Sequence, residues 1–311
     1  MKRVSVVGSL NIDHVLKVKA LPKKGETLVV KSYSLSCGGK GANQAIAIAR
    51  LGVFVNMIGK IGGDELGDIL IKNLKKSDVR VDGVMIDENK KTGVAFITVD
   101  ENGSNTIVVA PGANSRLSIE AIETKKEKLE ESDVVVLQME IPIDTVSYVI
   151  DMVKKWNKMV ILNLSPAKDI NINTLAKVDY LVVNETELEY LTRVNFDFDN
   201  IDSAVRIIRK FFTNNLIITF GGKGAICITS DEQVLRIPTY NVIAVDSTGA
   251  GDAFIGGLVK GLVENKNIEQ CIKIGNAVGS LSVTKLGAQN SFPFEKELDM
   301  FLKSNKSSFN F

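Results

Sequence analysis

Asp246-Ser247-Thr248-Gly249-Ala250-Gly251-Asp252 runs directly into the apolar stretch Ala253-Phe254-Ile255-Gly256-Gly257-Leu258, so glycines are predicted to open a helix there. Backbone N–H groups converge at such a start and carry the positive end of the helix dipole. They suit the negative charge that develops on a transferring phosphoryl group. Gly249, Ala250 and Gly251 are therefore candidate catalytic amides. Asp252, a carboxylate in the first turn, is the candidate acceptor of a proton from an attacking hydroxyl. The same residues also make an ordinary glycine-rich turn with a capping aspartate, and the segment alone does not decide between the two.

Gly38-Gly39-Lys40-Gly41-Ala42-Asn43-Gln44 is a second glycine-rich entry into a helical run. Glycines admit a polyhydroxylated ligand close to the backbone, with Lys40 and Asn43 as hydrogen-bonding groups; a plain strand-to-helix turn with a solvated lysine reads equally well. Asn11 and Asp13 follow the first strand, at the edge where α/β folds bind ligands. An amide and a carboxylate suit vicinal sugar hydroxyls, although an Asx-turn accounts for the same pair. Thr219-Phe220-Gly221-Gly222-Lys223-Gly224 closes a further strand; it suits either an ATP phosphate tail or a β-hairpin turn.

These residues need a frame. Short β-branched runs at 4–8, 54–59, 134–137, 159–163, 180–183 and 216–220 alternate with helical patterns such as 64–76, 142–156 and 201–212. That rhythm predicts an α/β fold with a mostly parallel sheet flanked by helices. Residues 14–36 and 92–109 break it, reading as hairpins around Pro-Lys-Lys-Gly and Asp-Glu-Asn-Gly turns. They predict a small β-sheet lid over the carboxyl edge, within a single domain spanning 1–311. From residue 250 the pattern turns helical, at 253–262, 268–284 and 295–301, and the tail after Lys303 is expected to fray.

Composition narrows the function. Lys plus Arg number 38 against 37 Asp plus Glu, so no net field draws the chain to nucleic acid or an anionic membrane. Asn11 and Asp13 interrupt the first apolar run too early for a signal peptide, and no other run approaches the roughly 18 residues that span a bilayer. Cys37, Cys227 and Cys271 match neither a metal knuckle nor a redox pair, as expected of reduced cytosolic thiols. There is no Walker A pattern, dinucleotide-binding glycine turn or protein-kinase element. The sole histidine, His14, excludes a multi-histidine metal site and is expected in a lid strand.

Taken in order, these segments resemble the carbohydrate kinase family that includes ribokinase, fructokinase and adenosine kinase, and the likeness spans nearly the whole chain. Both signatures of that family are present, as residues 38–43 and 246–252. The segments Gly8-Ser9-Leu10-Asn11-Ile12-Asp13-His14 and 282–291 are similar to its ribokinase members in particular. The resemblance implies a cytoplasmic enzyme that moves the γ-phosphate of ATP to the 5-hydroxyl of D-ribose. Asn11, Asp13, Gly39, Lys40, Asn43 and Glu140 would bind the sugar and Asp252 would be the base. Asn184, Thr219, Gly221, Gly224, Gly251 and Asn276 fall where ATP is held, and Glu187 in Asn184-Glu185-Thr186-Glu187 belongs to the magnesium network.

Asp246, Thr248, Ser282, Lys285, Gly287 and Ser291 match a loop that holds a potassium-like ion, mostly through backbone carbonyls. Ser282 and Lys285 depart from the small residues usual there, and Asn276 stands where some relatives carry histidine. The family also implies alternatives: kinases of deoxyribose, fructose or adenosine, or a sugar sensor that has lost catalysis. Exposed lid edges invite pairing, so a homodimer through the lid is expected.

Overall fold

The computed structural model describes residues 2–305. In chain order its strands are β1 (Val4–Val7), β2 (Asn11–Lys17), β3 (Ser32–Gly38), β4 (Val55–Gly62), β5 (Arg80–Asp87), β6 (Gly93–Val99), β7 (Asn105–Ala110), β8 (Val134–Leu137), β9 (Met159–Asn163), β10 (Tyr180–Asn184), β11 (Asn215–Thr219), β12 (Ala225–Ile228) and β13 (Val234–Ile237). The main sheet is nine-stranded, in the order β13-β12-β11-β10-β9-β8-β1-β4-β5. From β11 to β5 every neighbour is parallel, and β12 and β13 close one edge antiparallel. All six runs predicted as strands lie in this sheet.

Strand residues alternate between two apolar layers, as the period of two requires. Val134 and Val136 face a layer containing the helices Lys40–Arg50, Ala250–Val263 and Ile268–Ser282. Val135 and Leu137 face the layer of the helix Ile143–Lys155. Parallel strands buried on both faces read as continuous apolar runs, which is why β8 is Val-Val-Val-Leu. The helix Glu65–Lys76 is begun by Asp64, whose carboxylate accepts Gly67 N–H at 3.0 Å. Among the described residues no helix is long and apolar enough to cross a membrane.

A second, four-stranded sheet has the order β3-β2-β6-β7. The 92–109 hairpin is β6 and β7, turned by Asp100, which accepts the N–H groups of Asn102 and Ser104, both at 2.9 Å. The 14–36 segment differs from a tight hairpin. β2 and β3 pair from Asn11↔Gly38 to Lys17↔Ser32 and are joined by residues 18–31, which carry no strand. Pro22 has no N–H for a ladder, and Gly25 turns the chain at φ 81°. Of the tail expected to fray, Ser304 still lies in the helix Glu295–Ser304, and residues 306–311 lie outside the described part.

The chain leaves β1 for β4 on one side and returns to β8 on the other. Strand order thus reverses between β1 and β8, and the crevice outside their carboxyl ends is the natural ligand position in such a sheet.

Candidate active site

Residues around this crevice come from the exits of successive strands: Ser9 and Asn11 beyond β1, Gln138 and Glu140 beyond β8, and Asn163, Asn184 and Thr219 at the ends of β9, β10 and β11. Two helices point their N-termini at it, Lys40–Arg50 and Ala250–Val263. Gly39 precedes the first at φ 86°, and a Cβ on it would sit 2.7 Å from Asn11 N. Gly249 precedes the second at φ 77°, where a Cβ would meet Ala288 Cβ at 2.8 Å. Both positions need glycine for conformation and for space.

Asp252, in the first turn of the second helix, is 5% exposed. Its Oδ2 accepts from Asn43 Nδ2 and its Oδ1 from Gln44 Nε2, each at 2.9 Å. Burial pushes its pKa up; the Lys40 ammonium and the two amide donors oppose that, while the Glu140 carboxylate adds to it. Lys40 feels the reverse. Burial works against its charge, but Asp252, Glu140 and Glu187 together hold its ammonium above the usual lysine range. Glu140 Oε2 accepts from Lys40 N at 3.0 Å and from Ser9 Oγ at 2.5 Å, so it also anchors the start of the first helix.

At the lid side, Asn11 Oδ1 accepts from Asn114 Nδ2 at 2.8 Å, which leaves Asn11 Nδ2 as a donor. Burial pushes the Asp13 carboxyl up to about 7, with the carboxylates of Glu140 and Asp252 adding to the effect. On the opposite side, Asn184 and Glu187 form a capping box: Asn184 Oδ1 accepts Glu187 N–H at 2.8 Å and Glu187 Oε2 accepts Asn184 N–H at 2.9 Å. Burial raises the pKa of Glu187.

Two cavities meet here. A larger one of about 490 Å³ is lined by Thr219, Gly221, Gly224, Tyr240, Phe254 and Asn276, among others. A smaller one of about 200 Å³ is lined by Lys40, Asn184, Glu187, Gly249 and Asp252. Thr219, Ser247, Ala250 and Gly251 border both. The larger can take a nucleoside, and the smaller, with helix amides, a lysine and carboxylates, can take a polyphosphate tail beside a proton acceptor. Lys40, expected among the sugar contacts, thus borders the space beside Asp252 and Glu187. The Gly221 turn is at once a β11–β12 hairpin turn and a wall of the larger cavity.

Asp246 lies just ahead of the Ala250 helix. Its Oδ1 accepts Thr248 N–H at 2.9 Å and Thr248 Oγ1 at 2.6 Å, and its Oδ2 accepts Gly287 N–H at 2.8 Å. These bonds hold its carboxyl below the usual range against the opposing effect of burial. Val283 O accepts from the N–H groups of Val245 and Asp246, so the 246–248 turn and the 283–291 loop are joined.

The model of the pfkB family of carbohydrate kinases matches residues 1–295. The chain belongs to that family. It is 38% identical over 305 residues to a deoxyribokinase of Salmonella typhi, covering 97% of this chain and 99% of that one. It is 36% identical over 303 residues to a ribokinase of Haemophilus influenzae, with 97% and 99% covered. The structure of an Arabidopsis thaliana ribokinase complexed with ribose and ATP superposes with a TM-score of 0.89 at 32% identity, covering 97% of this chain and 99% of that one. As a pfkB kinase, the chain is an ATP-dependent sugar kinase with the ribokinase-like fold.

Sequence reasoning missed several polar residues that this pfkB chain brings to the site. Gln138, Asn163 and Gln289 are buried or half-buried amides in contact with Asn43 or Gln44, and Asn114 orients Asn11. A signal existed for two of them: Gln138 and Asn163 are the first polar residues after the buried runs of β8 and β9, at the ligand-binding edge. Asn114 lies in the short 3-10 helix Gly112–Arg116 and Gln289 in a loop, segments whose path the sequence does not disclose.

Proposed function

We propose that the chain transfers the γ-phosphate of ATP to the 5-hydroxyl of D-ribose, with Asp252 as general base. The observation that carries this reading is the buried Asp252 carboxylate at a helix N-terminus, bordering the smaller cavity where it joins the larger. Asp252 takes the hydroxyl proton as the oxygen attacks. The amides of Gly249 and Gly251 face the equatorial oxygens and Lys40 offsets phosphate charge, whereas the Ala250 N–H, expected among these amides, donates to Ser247 O at 3.1 Å and closes the turn instead. Asn184, Thr219, Gly221, Gly224, Gly251 and Asn276 hold ATP. Asn11, Asp13, Gly39, Lys40, Asn43 and Glu140 hold the sugar.

Glu187 is a buried carboxylate with one oxygen bonded to a backbone N–H, a donor set that fits magnesium shared with phosphate oxygens. With Asn184 it would hold that ion, which offsets polyphosphate charge when bound. Asp246, Thr248, Ser282, Lys285, Gly287 and Ser291 would hold potassium, chiefly through carbonyl oxygens. The fit is favourable because Lys285 Nζ turns away to Glu297 Oε1 at 2.7 Å and brings no competing cation.

Ribose is favoured over 2-deoxyribose by Asn11 and Asp13, a donor and an acceptor for adjacent hydroxyls; a sugar lacking one of these leaves a buried partner unmet. Deoxyribose is the second reading, since the Salmonella relative is a deoxyribokinase. The lid also favours a homodimer, and the cytoplasm is the compartment we propose for it. Leu35, His14, Phe96 and Val108 form one cross-strand row on the face away from Asp13, and Leu35, Phe96 and Val108 are exposed. A second copy would cover that row.

The test is ATP turnover with D-ribose, 2-deoxyribose, fructose and adenosine, each with and without potassium. Ribose-dependent turnover raised by potassium supports the reading. Preference for another acceptor overturns ribose, and no turnover with any acceptor overturns the kinase reading in favour of a sensor.

A further inference from the structure

Both oxygens of Asp252 are held by side-chain amides, and each amide is itself held. The direction of the Gln44 arm is set by a backbone carbonyl. Val182 O can only accept, so Asn163 turns Nδ2 toward it at 3.2 Å and presents Oδ1 to Gln44. Gln44 must then give its Nε2 protons to Asn163 at 3.0 Å and to Asp252 at 2.9 Å. Its Oε1 is left to accept from Gln138 Nε2 at 2.6 Å. A flipped Gln44 amide would set its oxygen against two acceptors at once. The other arm runs through Asn43, whose Oδ1 accepts from Gln289 Nε2 at 2.8 Å; Gln289 in turn accepts from Asn73 Nδ2 at 2.6 Å.

We propose that Gln44 is a positioning residue for phosphoryl transfer, and that Asn163 and Gln138 keep its amide in the one orientation that holds Asp252 Oδ1 in place. The inference rests on the reading of Asp252 as the base. A carboxylate with free χ2 exchanges its two oxygens and spends time turned from the hydroxyl, which must come within about 2.6–3.2 Å of one of them. One amide donor on each oxygen stops that rotation and leaves the unused lone pairs for the smaller cavity, which Asp252 borders. The same donors favour the ionised form, the form a base needs, where burial works against it.

Gln138 argues that the arrangement serves the site and not the fold. It is 0% exposed, yet among the described residues its Oε1 has no hydrogen-bond partner. A buried unpaired amide oxygen is a cost to folding that offsets what the Nε2 bond to Gln44 contributes, so the residue brings little net stability. Setting the Gln44 amide accounts for it.

The test uses Gln44→Met and Gln138→Met in the full chain, with kcat, both KM values, the pH profile of kcat and thermal melting measured for each. For Gln44→Met, kcat falls on the order of 10- to 100-fold, as for a misplaced catalytic group. Both KM values stay within about twofold, the pattern of an interaction felt in the transition state. The acid limb of the pH profile moves to higher pH, because a donor to the carboxylate is lost. Gln138→Met removes one buried unpaired oxygen and creates another at Gln44 Oε1, so it melts close to the wild-type temperature while its kcat falls several-fold. If Gln44→Met does not fold, Gln138→Met alone decides. Wild-type kcat and acid limb in either folded variant overturn the proposal. Asp252→Asn is run in parallel: retained turnover there sinks the base assignment itself, whereas an inactive Asp252→Asn beside an unimpaired Gln44→Met sinks only the positioning role.

Discussion

Asp246 Oδ2 and Gly287 N–H meet at 2.8 Å, joining the turn ahead of the Ala250 helix to a loop 41 residues further on. If that loop holds a monovalent cation, Asp246→Ala disconnects the cation from the phosphoryl site. Turnover of the wild type should rise with potassium chloride, and that of the variant should stay flat. Loss of the bonds to Thr248 and Gly287 should also cost about 1–3 kcal/mol by denaturant unfolding. A variant that keeps its potassium response would place the cation elsewhere.

Asp252→Asn should lower kcat by about 10³-fold, within the range of general-base contributions. Asparagine keeps the volume but presents Nδ2 to the Asn43 or Gln44 amide, setting donor against donor. Calorimetric titration with ADP should still show binding, which separates a lost base from a lost nucleotide site.

Asp13 gives the protein a pH dependence whose sign follows from its environment. Its ordinary value is 3.8 and the folded environment raises it to about 7. Between those values the folded chain keeps a proton that the unfolded chain has released. Its contribution to stability is therefore greatest below 3.8 and declines as pH rises to about 7. Asp13→Asn should flatten that stretch of the melting-temperature curve and raise the melting temperature above about pH 7. The wild-type KM for the sugar should rise as pH falls through the same window, because a protonated Asp13 is a poorer acceptor. Parallel melting curves for the two proteins would show that Asp13 is ionised in both folded and unfolded chains.

Two glycines of one signature should behave oppositely. Gly249→Ala forces φ 77° on alanine and drives Cβ to 2.8 Å from Ala288, so stability should fall by about 1–3 kcal/mol. Among the described residues, a Cβ on Gly251 would meet nothing within 4 Å beyond its chain neighbours and its own helix backbone. Gly251→Ala should fold normally and instead lose turnover, by about tenfold or more, because its methyl group enters the space shared by the two cavities. Melting and steady-state kinetics on the pair separate the roles.

Light scattering on the wild type should give twice the chain mass. Val108→Glu places a charge on a strand residue that is 67% exposed, and should give the single-chain mass without loss of melting temperature. A single-chain mass for the wild type would rule out the dimer.

Six of the nine strands of the main sheet were legible because burial on both faces writes itself as uninterrupted apolar runs, as at 134–137 and 216–218. β5 was not, since Asp82 and Gly83 break its pattern and only one of its sides packs well. The glycine turns at 38–41 and 249–251 were legible as helix starts because they need residue types that little else explains. The amides around Asp252 were not. A glutamine after a strand looks the same whether it faces solvent or a buried carboxylate, and only the meeting of β8, β9 and the Lys40 helix tells them apart. The lid's long 18–31 connection was likewise hidden, because Pro-Lys-Lys-Gly signals a turn but not the distance over which pairing is lost.

Only Gly8, Ser9 and Leu10 separate β1 from the lid strand β2, and Asn114 clamps Leu10 on both sides, accepting its N–H at 2.9 Å and donating to its carbonyl at 3.0 Å. If the small sheet moves as a lid, the clamp makes Leu10 its natural fulcrum. A swing about that point displaces each residue in proportion to its distance along the strand, at about 3.3 Å per residue. Asn11 sits at the fulcrum and Asp13 close by, while Lys17 and its neighbour Ser32 ride at the far end. On the proposed roles of Asn11 and Asp13, the groups that grip the sugar would stay nearly still while the outer lid sweeps, so affinity and access to solvent would be governed at opposite ends of one strand and could be altered separately.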